Sequence, residues 1–291
     1  MALRRGFEAP RHRRAQANPL WPCLAVAIAL FAGAATAAER LPIFDAHIHY
    51  NRDAWEAYEP DKVIELLDAA GVPRALVSST PDDGTLMLFE AAPDRVVPIL
   101  RPYRSSRDRA DWFENPEIVT YLRERLRRGT YRGIGEFHLY DAGKVATDEM
   151  RAIVAMAVAR DIVLHVHSGE GPVRALFAID PKLRILWAHA GMREPPDVVA
   201  RTLADFPQLT TEVSFREGDI NPGGSLDPAW RKIFLRFPDR IMIGSDTYVT
   251  SRWGEYEALV DGHRRWLDQL PPEVAEAIAF GNATRIFGAA E

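Results

Sequence analysis

The chain has 291 residues, 36 basic and 41 acidic side chains and a net charge of −5, which allows a sizeable core but shows no basic excess of the kind that marks a nucleic-acid binder. Its one cysteine, Cys23, excludes an intrachain disulfide.

Residues 1–38 read as a secretory signal and not as part of the fold. Arg4, Arg5, Arg11, Arg13 and Arg14 form a basic n-region, residues 24–35 an apolar h-region, and Ala35-Thr36-Ala37 an A-x-A cleavage site. The apolar run is short of the roughly 18–20 residues that an uncleaved spanning anchor needs. Leu3-Arg4-Arg5-Gly6-Phe7 partly resembles a twin-arginine export signal, a route by which folded, metal-loaded protein leaves the cell. Cleavage would remove Cys23, so any metal would be held by N and O atoms. It would leave 253 residues with 31 basic and 40 acidic side chains, a net charge of −9. The expectations are a periplasmic or secreted protein, no stable membrane anchor, and one domain over 39–291. That length is close to the roughly 250 residues of a single (β/α)₈ barrel.

From residue 43 short β-rich runs alternate with helical patterns. Residues 43–47 form the first expected strand. Residues 61–71 form an amphipathic helix with Val63, Ile64, Leu66 and Leu67 on its apolar side and Gly71 as its C-cap. Strands follow at 74–79 and 96–100, a helix at 116–128, a fourth strand at 132–137, and a helix at 148–160 behind Thr147 as N-cap. Strands five and six end at His167 and His189, with a short helix near 173–178 between them. A helix at 196–206, a strand at 209–215, a helix at 228–237, a strand at 241–246, and helical patterns over 253–270 and 272–280 complete the chain. Eight strands alternating with helices predict an α/β fold, a distorted (β/α)₈ TIM barrel with C-terminal helices. A doubly wound open sheet is the alternative, but no strand opens into a glycine-rich phosphate loop.

The strand ends carry the chemistry. His47 and His49 share a face because strand side chains alternate sides. Glu136 and His138 end the fourth run, His165 and His167 the fifth, His189 the sixth and Asp246 the eighth. Catalytic groups of such barrels cluster at the C-terminal ends of the strands, and imidazole and carboxylate suit zinc, iron and manganese. One histidine at a strand end is usually a hydrogen-bonded structural residue, but independent structural histidines have no reason to share this register. His167, directly before Ser168-Gly169, is the expected ligand of its strand, and His165 a packed residue one layer deeper. Glu136 also has a structural reading, as an inward carboxylate binding an arginine or a backbone N–H. Asp45 is expected to face away from the histidine pair or to serve a turn, and His263 lies in the late helical region, away from the site.

Together these segments resemble the amidohydrolase superfamily, in particular its amidohydrolase-related branch of metal-dependent TIM-barrel hydrolases and decarboxylases. The motifs are Asp45-Ala46-His47-Ile48-His49, His167-Ser168-Gly169, His189-Ala190-Gly191, Gly244-Ser245-Asp246 and Gly281-Asn282-Ala283-Thr284-Arg285-Ile286-Phe287. The resemblance implies that His47, His49, His167 and Asp246 hold a metal. His189 would be a second-metal ligand or would hydrogen-bond the reacting water or substrate. Glu136 resembles the strand-four glutamate of TatD-type members, which bridges two metals there. No lysine stands at strand four, so the carboxylated-lysine bridge of the urease-like branch has no candidate. The implied cofactor is zinc, as one or two ions, with manganese or iron as alternatives.

The expected activity is metal-dependent hydrolysis of a small ester, lactone, amide or related bond. A divalent cation lowers the pKa of bound water towards about 7 and polarises a carbonyl, with Asp246 as the proton shuttle. Non-oxidative decarboxylation of a small carboxylic acid is the alternative, followed by a TatD-like nuclease and an inactive periplasmic binding protein. Arg101, Tyr103 and Arg216 follow strands three and seven and are candidate substrate residues, since arginine forms bidentate contacts with carboxylates. Each equally suits a solvated loop. Tyr248 and Trp253 are candidates for an apolar pocket wall.

Overall fold

The computed structural model describes residues 40–288. The expected signal over 1–38 lies outside them. Among the described residues no helix is long and apolar enough to cross a membrane.

The first three strands, β1 (Phe44–Ile48), β2 (Arg74–Val77) and β3 (Val96–Pro98), make one parallel sheet. The next five make another: β4 (Gly133–His138), β5 (Val163–His167), β6 (Ile185–Trp187), β7 (Leu209–Glu212) and β8 (Ile241–Met242). Single bridges close both seams, Leu100 with Ile134 and Asp45 with Ile243. The backbone bonds are made there: Leu100 N–H donates to Gly133 O at 3.0 Å and Ala46 N–H to Ile243 O at 2.8 Å. The eight strands thus form a closed parallel barrel, irregular where β3 and β8 are short.

Helices α1 (Pro60–Ala69), α2 (Asp83–Ala91), α3 (Pro116–Leu126), α4 (Asp148–Arg160), α5 (Glu170–Ile179) and α6 (Pro196–Asp205) alternate with the strands. After β7 come α7 (Glu217–Ile220) and α8 (Pro228–Arg236), and after β8 α9 (Ser251–Gly254), α10 (Tyr256–Leu267), α11 (Pro272–Glu276) and α12 (Asn282–Phe287). Pro60, Pro116, Pro196, Pro228 and Pro272 each open a helix, where their fixed φ and missing N–H cost nothing. Thr147 caps α4 as expected, its hydroxyl accepting from Met150 N–H at 3.2 Å.

Helix α2 is not anticipated from the sequence, because Gly84 in its first turn is a poor helix former. A Cβ at that position would run into the carbonyl oxygen of Tyr50, so the close approach demands glycine. Strands seven and eight end earlier than their β-rich runs. β7 stops at Glu212, whose carboxylate accepts from Ser214 N–H at 2.7 Å and turns the chain.

Inside the barrel Phe44, Ala46, Leu76, Val97, Ile99, Val163, Leu186 and Met242 form a cluster of their own. Ala283 and Phe287 of α12 complete it. Asn282 fastens that helix, its amide donating to the carbonyls of Pro238 and Ile241 at 2.8 Å each. The C-terminal motif is therefore the stopper at the end of the barrel opposite the histidines.

Candidate metal centre

Irregular backbone aims the polar side chains inward. A register shift between Asp45 and Ile48 breaks the alternation of β1, so Phe44 and Ala46 join the apolar interior and His47 and His49 still face one centre. Asp45 faces away. It accepts from His47 N–H and Ser245 N–H at 3.0 Å each and from the Tyr256 hydroxyl at 2.8 Å, tying β1 to the segment after β8. A second shift, between Gly135 and Phe137, leaves Glu136 outside the paired register, as bulges beside active sites do. His189 and Asp246 stand at φ 56° and 49°, left-handed positions that cost a non-glycine residue about 1–3 kcal/mol. A Cβ on Gly244 would collide with the Glu212 carboxylate and His47, so only glycine lets the chain pass to Asp246.

Hydrogen bonds fix which ring nitrogen of each histidine is bare. His47 Nδ1–H donates to Glu212 Oε1 at 3.0 Å and His49 Nδ1–H to the carbonyl of Ser78 at 2.5 Å. His189 Nδ1–H faces the carbonyl of Ser214 at 3.2 Å and its hydroxyl at 2.8 Å. In the neutral rings each Nε2 then carries the lone pair, and those of His47 and His49 lie 3.0 Å apart. Asp246 Oδ1 is 3.4 Å from His49 Nε2, and Asp246 Oδ2 is 3.7 Å from His189 Nε2. His189 Nε2 and Asp246 Oδ1 are buried and have no hydrogen-bond partner. Lone pairs at such distances repel unless a cation lies among them, so the donor set fits a metal ion.

The charge balance points the same way. Glu136, Glu212 and Asp246 are buried together, and among the described residues the only arginine or lysine ion-paired with any of them is Arg101, at 3.0 Å from Glu136 Oε2. Burial disfavours a proton on His47, yet Asp246, Glu212 and Glu136 raise its pKa well above the usual imidazole value. Burial also disfavours the charged form of Glu136, but His47, His167 and His189 hold its carboxyl well below the ordinary range. The pocket draws positive charge.

The other predicted residues have distinct places. His167 presents Nδ1 to Glu136 Oε1 at 2.6 Å and stacks on His138, ring centroids 4.4 Å apart. Burial pushes His138 down to about 3. His165 is buried against the His47 ring at 4.5 Å with neither nitrogen partnered, and burial holds it neutral. Arg101 spends Nε on the Glu136 carbonyl and Nη2 on its carboxylate. The Tyr103 hydroxyl is engaged with His138. Arg216 donates to the carbonyls of His189, Ala190 and Glu194, holding the His189 turn.

Over this cluster lies a cavity of about 240 Å³, walled by Asn51, Arg101, Arg109, Met192, Phe215 and Tyr248 besides the ligand-type residues. Tyr103, Arg216 and Trp253 are not in its lining. Trp253 is buried among Tyr50, Tyr58 and Tyr256. Two participants are absent from the sequence reading. Glu212 braces His47 and accepts from His189 N–H at 2.6 Å. It escapes notice because the run continues past it to Phe215, although the rule of a strand ending in a carboxylate would have found it. Arg109 lies in a loop among other arginines, and nothing in the sequence singles it out.

The amidohydrolase family profile matches residues 44–289, and the chain belongs to that family of metal-dependent enzymes acting on small molecules. No curated protein matches the chain. Among solved structures, an amidohydrolase from Burkholderia multivorans with bound zinc superposes at TM-score 0.57 and 20% identity, covering 84% of this chain and 99% of that one. A protein from Acinetobacter baumannii assigned as a 2-pyrone-4,6-dicarboxylic acid hydrolase, with citric acid bound, gives TM-score 0.60 at 16% identity over 84% and 98%. A 2,6-dihydroxybenzoate decarboxylase complexed with 2,6-dihydroxybenzoate gives 0.55 at 12% identity over 84% and 99%. At these identities the likeness is one of fold, and it spans hydrolases and a decarboxylase.

Proposed function

We propose that the chain is a hydrolase that uses one zinc ion to cleave a small ester, lactone, amide or related bond. The observation that carries this reading is the pair of buried, unpartnered acceptors, His189 Nε2 and Asp246 Oδ1, facing the bare nitrogens of His47 and His49 at the floor of the cavity. His47, His49 and Asp246 would hold the ion, with His167, His189 and Glu136 around it. Oxygen and nitrogen donors suit zinc, and the Burkholderia neighbour carries it. A single ion is favoured because Arg101, buried at 3.0 Å from Glu136, puts a positive charge where a second ion bridged by that glutamate would sit.

Such an ion supplies Lewis acidity, making water acidic near neutrality and polarising a carbonyl or phosphoryl oxygen. Asp246 takes the proton as water oxygen joins the substrate carbonyl carbon, and returns it to the leaving atom as the old bond breaks. His189 offers a second acceptor on the same side. Arg101 keeps Glu136 ionised and its carboxylate fixed. Glu212 and the Ser78 carbonyl hold His47 and His49 in the tautomer that bares Nε2.

Metal analysis together with turnover in ¹⁸O-water tests this. About one zinc per chain, lost in His47→Ala, and solvent oxygen in the product are expected. Carbon dioxide release with no solvent oxygen incorporated would replace hydrolysis by decarboxylation, the activity of one structural neighbour. We further read residues 1–38 as an export signal that sends the enzyme to the periplasm or outside the cell. Mass spectrometry of protein from its native host should find a chain starting at Ala38 or Glu39, and an intact Met1 segment would overturn that assignment.

A further inference from the structure

Three cavities meet at one arginine. The cavity over the metal-type residues shares Arg109 and His138 with a neighbour of about 490 Å³, and shares Asn51, Arg109 and Tyr248 with another of about 430 Å³. Each side arm is within the size range of small-molecule pockets, and their chemistry is opposite. The first is walled mainly by Ala110, Phe113, Leu139 and Tyr140; besides the shared Arg109 its charged side chains are Asp141 and Lys144, the lysine paired with Glu114 at 2.5 Å. Tyr140 is 73% exposed, an apolar ring left uncovered beside the cavity mouth. The second arm is lined by Arg52, Arg104 and Arg109 against a single acid, Asp53.

Those three arginines differ in what they already hold. Arg104 is spent on Asp108 and on Glu117, both at 2.9 Å. Among the described residues Arg52 and Arg109 have no ion-pair partner; Arg52 only covers the Trp55 ring at 5.3 Å. The turn that carries Arg109 is built to hold still. Asp108 accepts from Arg104 N–H at 2.7 Å and Ser105 N–H at 3.2 Å while gripping the Arg104 guanidinium. A fixed turn presenting an unpaired guanidinium to a cavity is a ready oxyanion site.

We propose that the substrate is two-headed: an apolar acyl group fills the Phe113–Tyr140 arm and a carboxylate on the other side of the scissile bond meets Arg109 and Arg52. An N-acyl amino acid or the acyl ester of a hydroxy acid has this form. Its hydrolysis balances simply: water adds its oxygen to the acyl carbon, the C–N or C–O bond breaks, and the proton goes to the departing nitrogen or oxygen. The inference rests on the hydrolase reading, and its test is made independent of turnover.

Ketones in which a CH₂ replaces the scissile N or O cannot be hydrolysed, so their binding to metal-loaded full-length protein can be measured calorimetrically. 4-Oxododecanoate should bind at least about tenfold tighter than 4-oxopentanoate, which lacks the apolar chain, and than the neutral 4-oxododecanamide. Arg109→Ala should weaken the acid about tenfold and leave the amide unchanged, Arg109→Lys should recover part of the loss, and Tyr140→Ala should weaken the long acid and amide alike. Equal affinity for acid and amide, or equal loss of both in Arg109→Ala, would overturn the proposal. If the ketone series behaves as expected but N-nonanoylglycine is not cleaved, the two-headed site stands and hydrolysis of such amides falls. If simple esters are cleaved with no dependence on chain or charge, hydrolysis stands and the two-headed site falls.

Discussion

The two ends of this barrel are made from the same strands and follow opposite rules. At one end Phe44, Leu186 and Met242 meet Ala283 and Phe287 in a buried apolar cluster. Three or four residues further along, His47, His189 and Asp246 are buried nearly as deeply, but His189 Nε2 and Asp246 Oδ1 meet no protein donor. Burial alone therefore does not separate core from site. The difference is that the lower end is closed by packing against its own helix, whereas the upper end is complete only with something added. Of the described non-glycine residues at positive φ, His189, Ala190, Met192, Phe215 and Asp246 follow strand ends on the open side, and only Asp161, the cap of α4, does not.

The largest effect that can break this contrast is at Asp246. Asp246→Asn keeps shape and volume but removes the base, so turnover should fall by about 10²–10⁴-fold. In metal-free protein thermal stability should hold or rise, because the change relieves a buried carboxylate whose Oδ1 lacks a hydrogen-bond partner. A loss of activity below tenfold, with metal still bound, would return Asp246 to a purely structural role.

The mirror experiment is at the closed end. Phe44→Ala should cost about 3–5 kcal/mol of folding free energy by chemical denaturation, as large-to-small changes in packed cores do. The folded fraction should keep its metal and its turnover. A variant that loses metal while remaining folded would mean that the two ends are coupled, and the comparison would fail there.

Between these extremes stands Glu212, which does not line the cavity over the site but braces two of its residues. Glu212→Gln should weaken metal binding by about 10–100-fold, the usual cost of losing an outer partner of a ligating histidine. Titration with a competing chelator measures it. Unchanged affinity would show that Ser78, Ser214 and the backbone suffice to set the rings.

How much of this was legible beforehand follows the same division. Alternation of β-rich runs with helices announces the barrel, and the histidines and acids at the run ends announce the site, because strand ends are chemically conspicuous. What stays hidden depends on tertiary geometry. Glu212 looks like a mid-strand residue until its own carboxylate is seen turning the chain at Ser214. Arg216 follows a strand end as a substrate arginine would, yet its donors are taken by the carbonyls of the His189 turn. Arg109 is one arginine in a run containing Arg104 and Arg107, and only the neighbouring cavities set it apart. The register shifts in β1 and β4 are invisible to a strict two-residue period, yet they aim His47 and Glu136.

The smallest expected effect tests whether the loop at the open end is held by charge. Burial disfavours ionisation of Asp108, but Arg104 and two backbone N–H groups outweigh it and lower its pKa below the usual aspartate value. A group whose pKa is depressed in the folded state stabilises it fully above the unfolded value, near 3.9, and loses that contribution as pH falls through the folded value. Arg104 is partly exposed, so screening limits the pair to about 1 kcal/mol or less. Wild-type Tm should therefore drop more steeply below pH 4 than that of Asp108→Asn, with the two curves converging in acid. At pH 7 Asp108→Asn should loosen the turn without touching the metal-type residues, weakening oxyanion ligands of the Arg109 arm while metal content stays the same. Parallel Tm curves across the whole pH range would mean that the turn is held by its backbone alone, and the charge pair would then have no part in presenting Arg109.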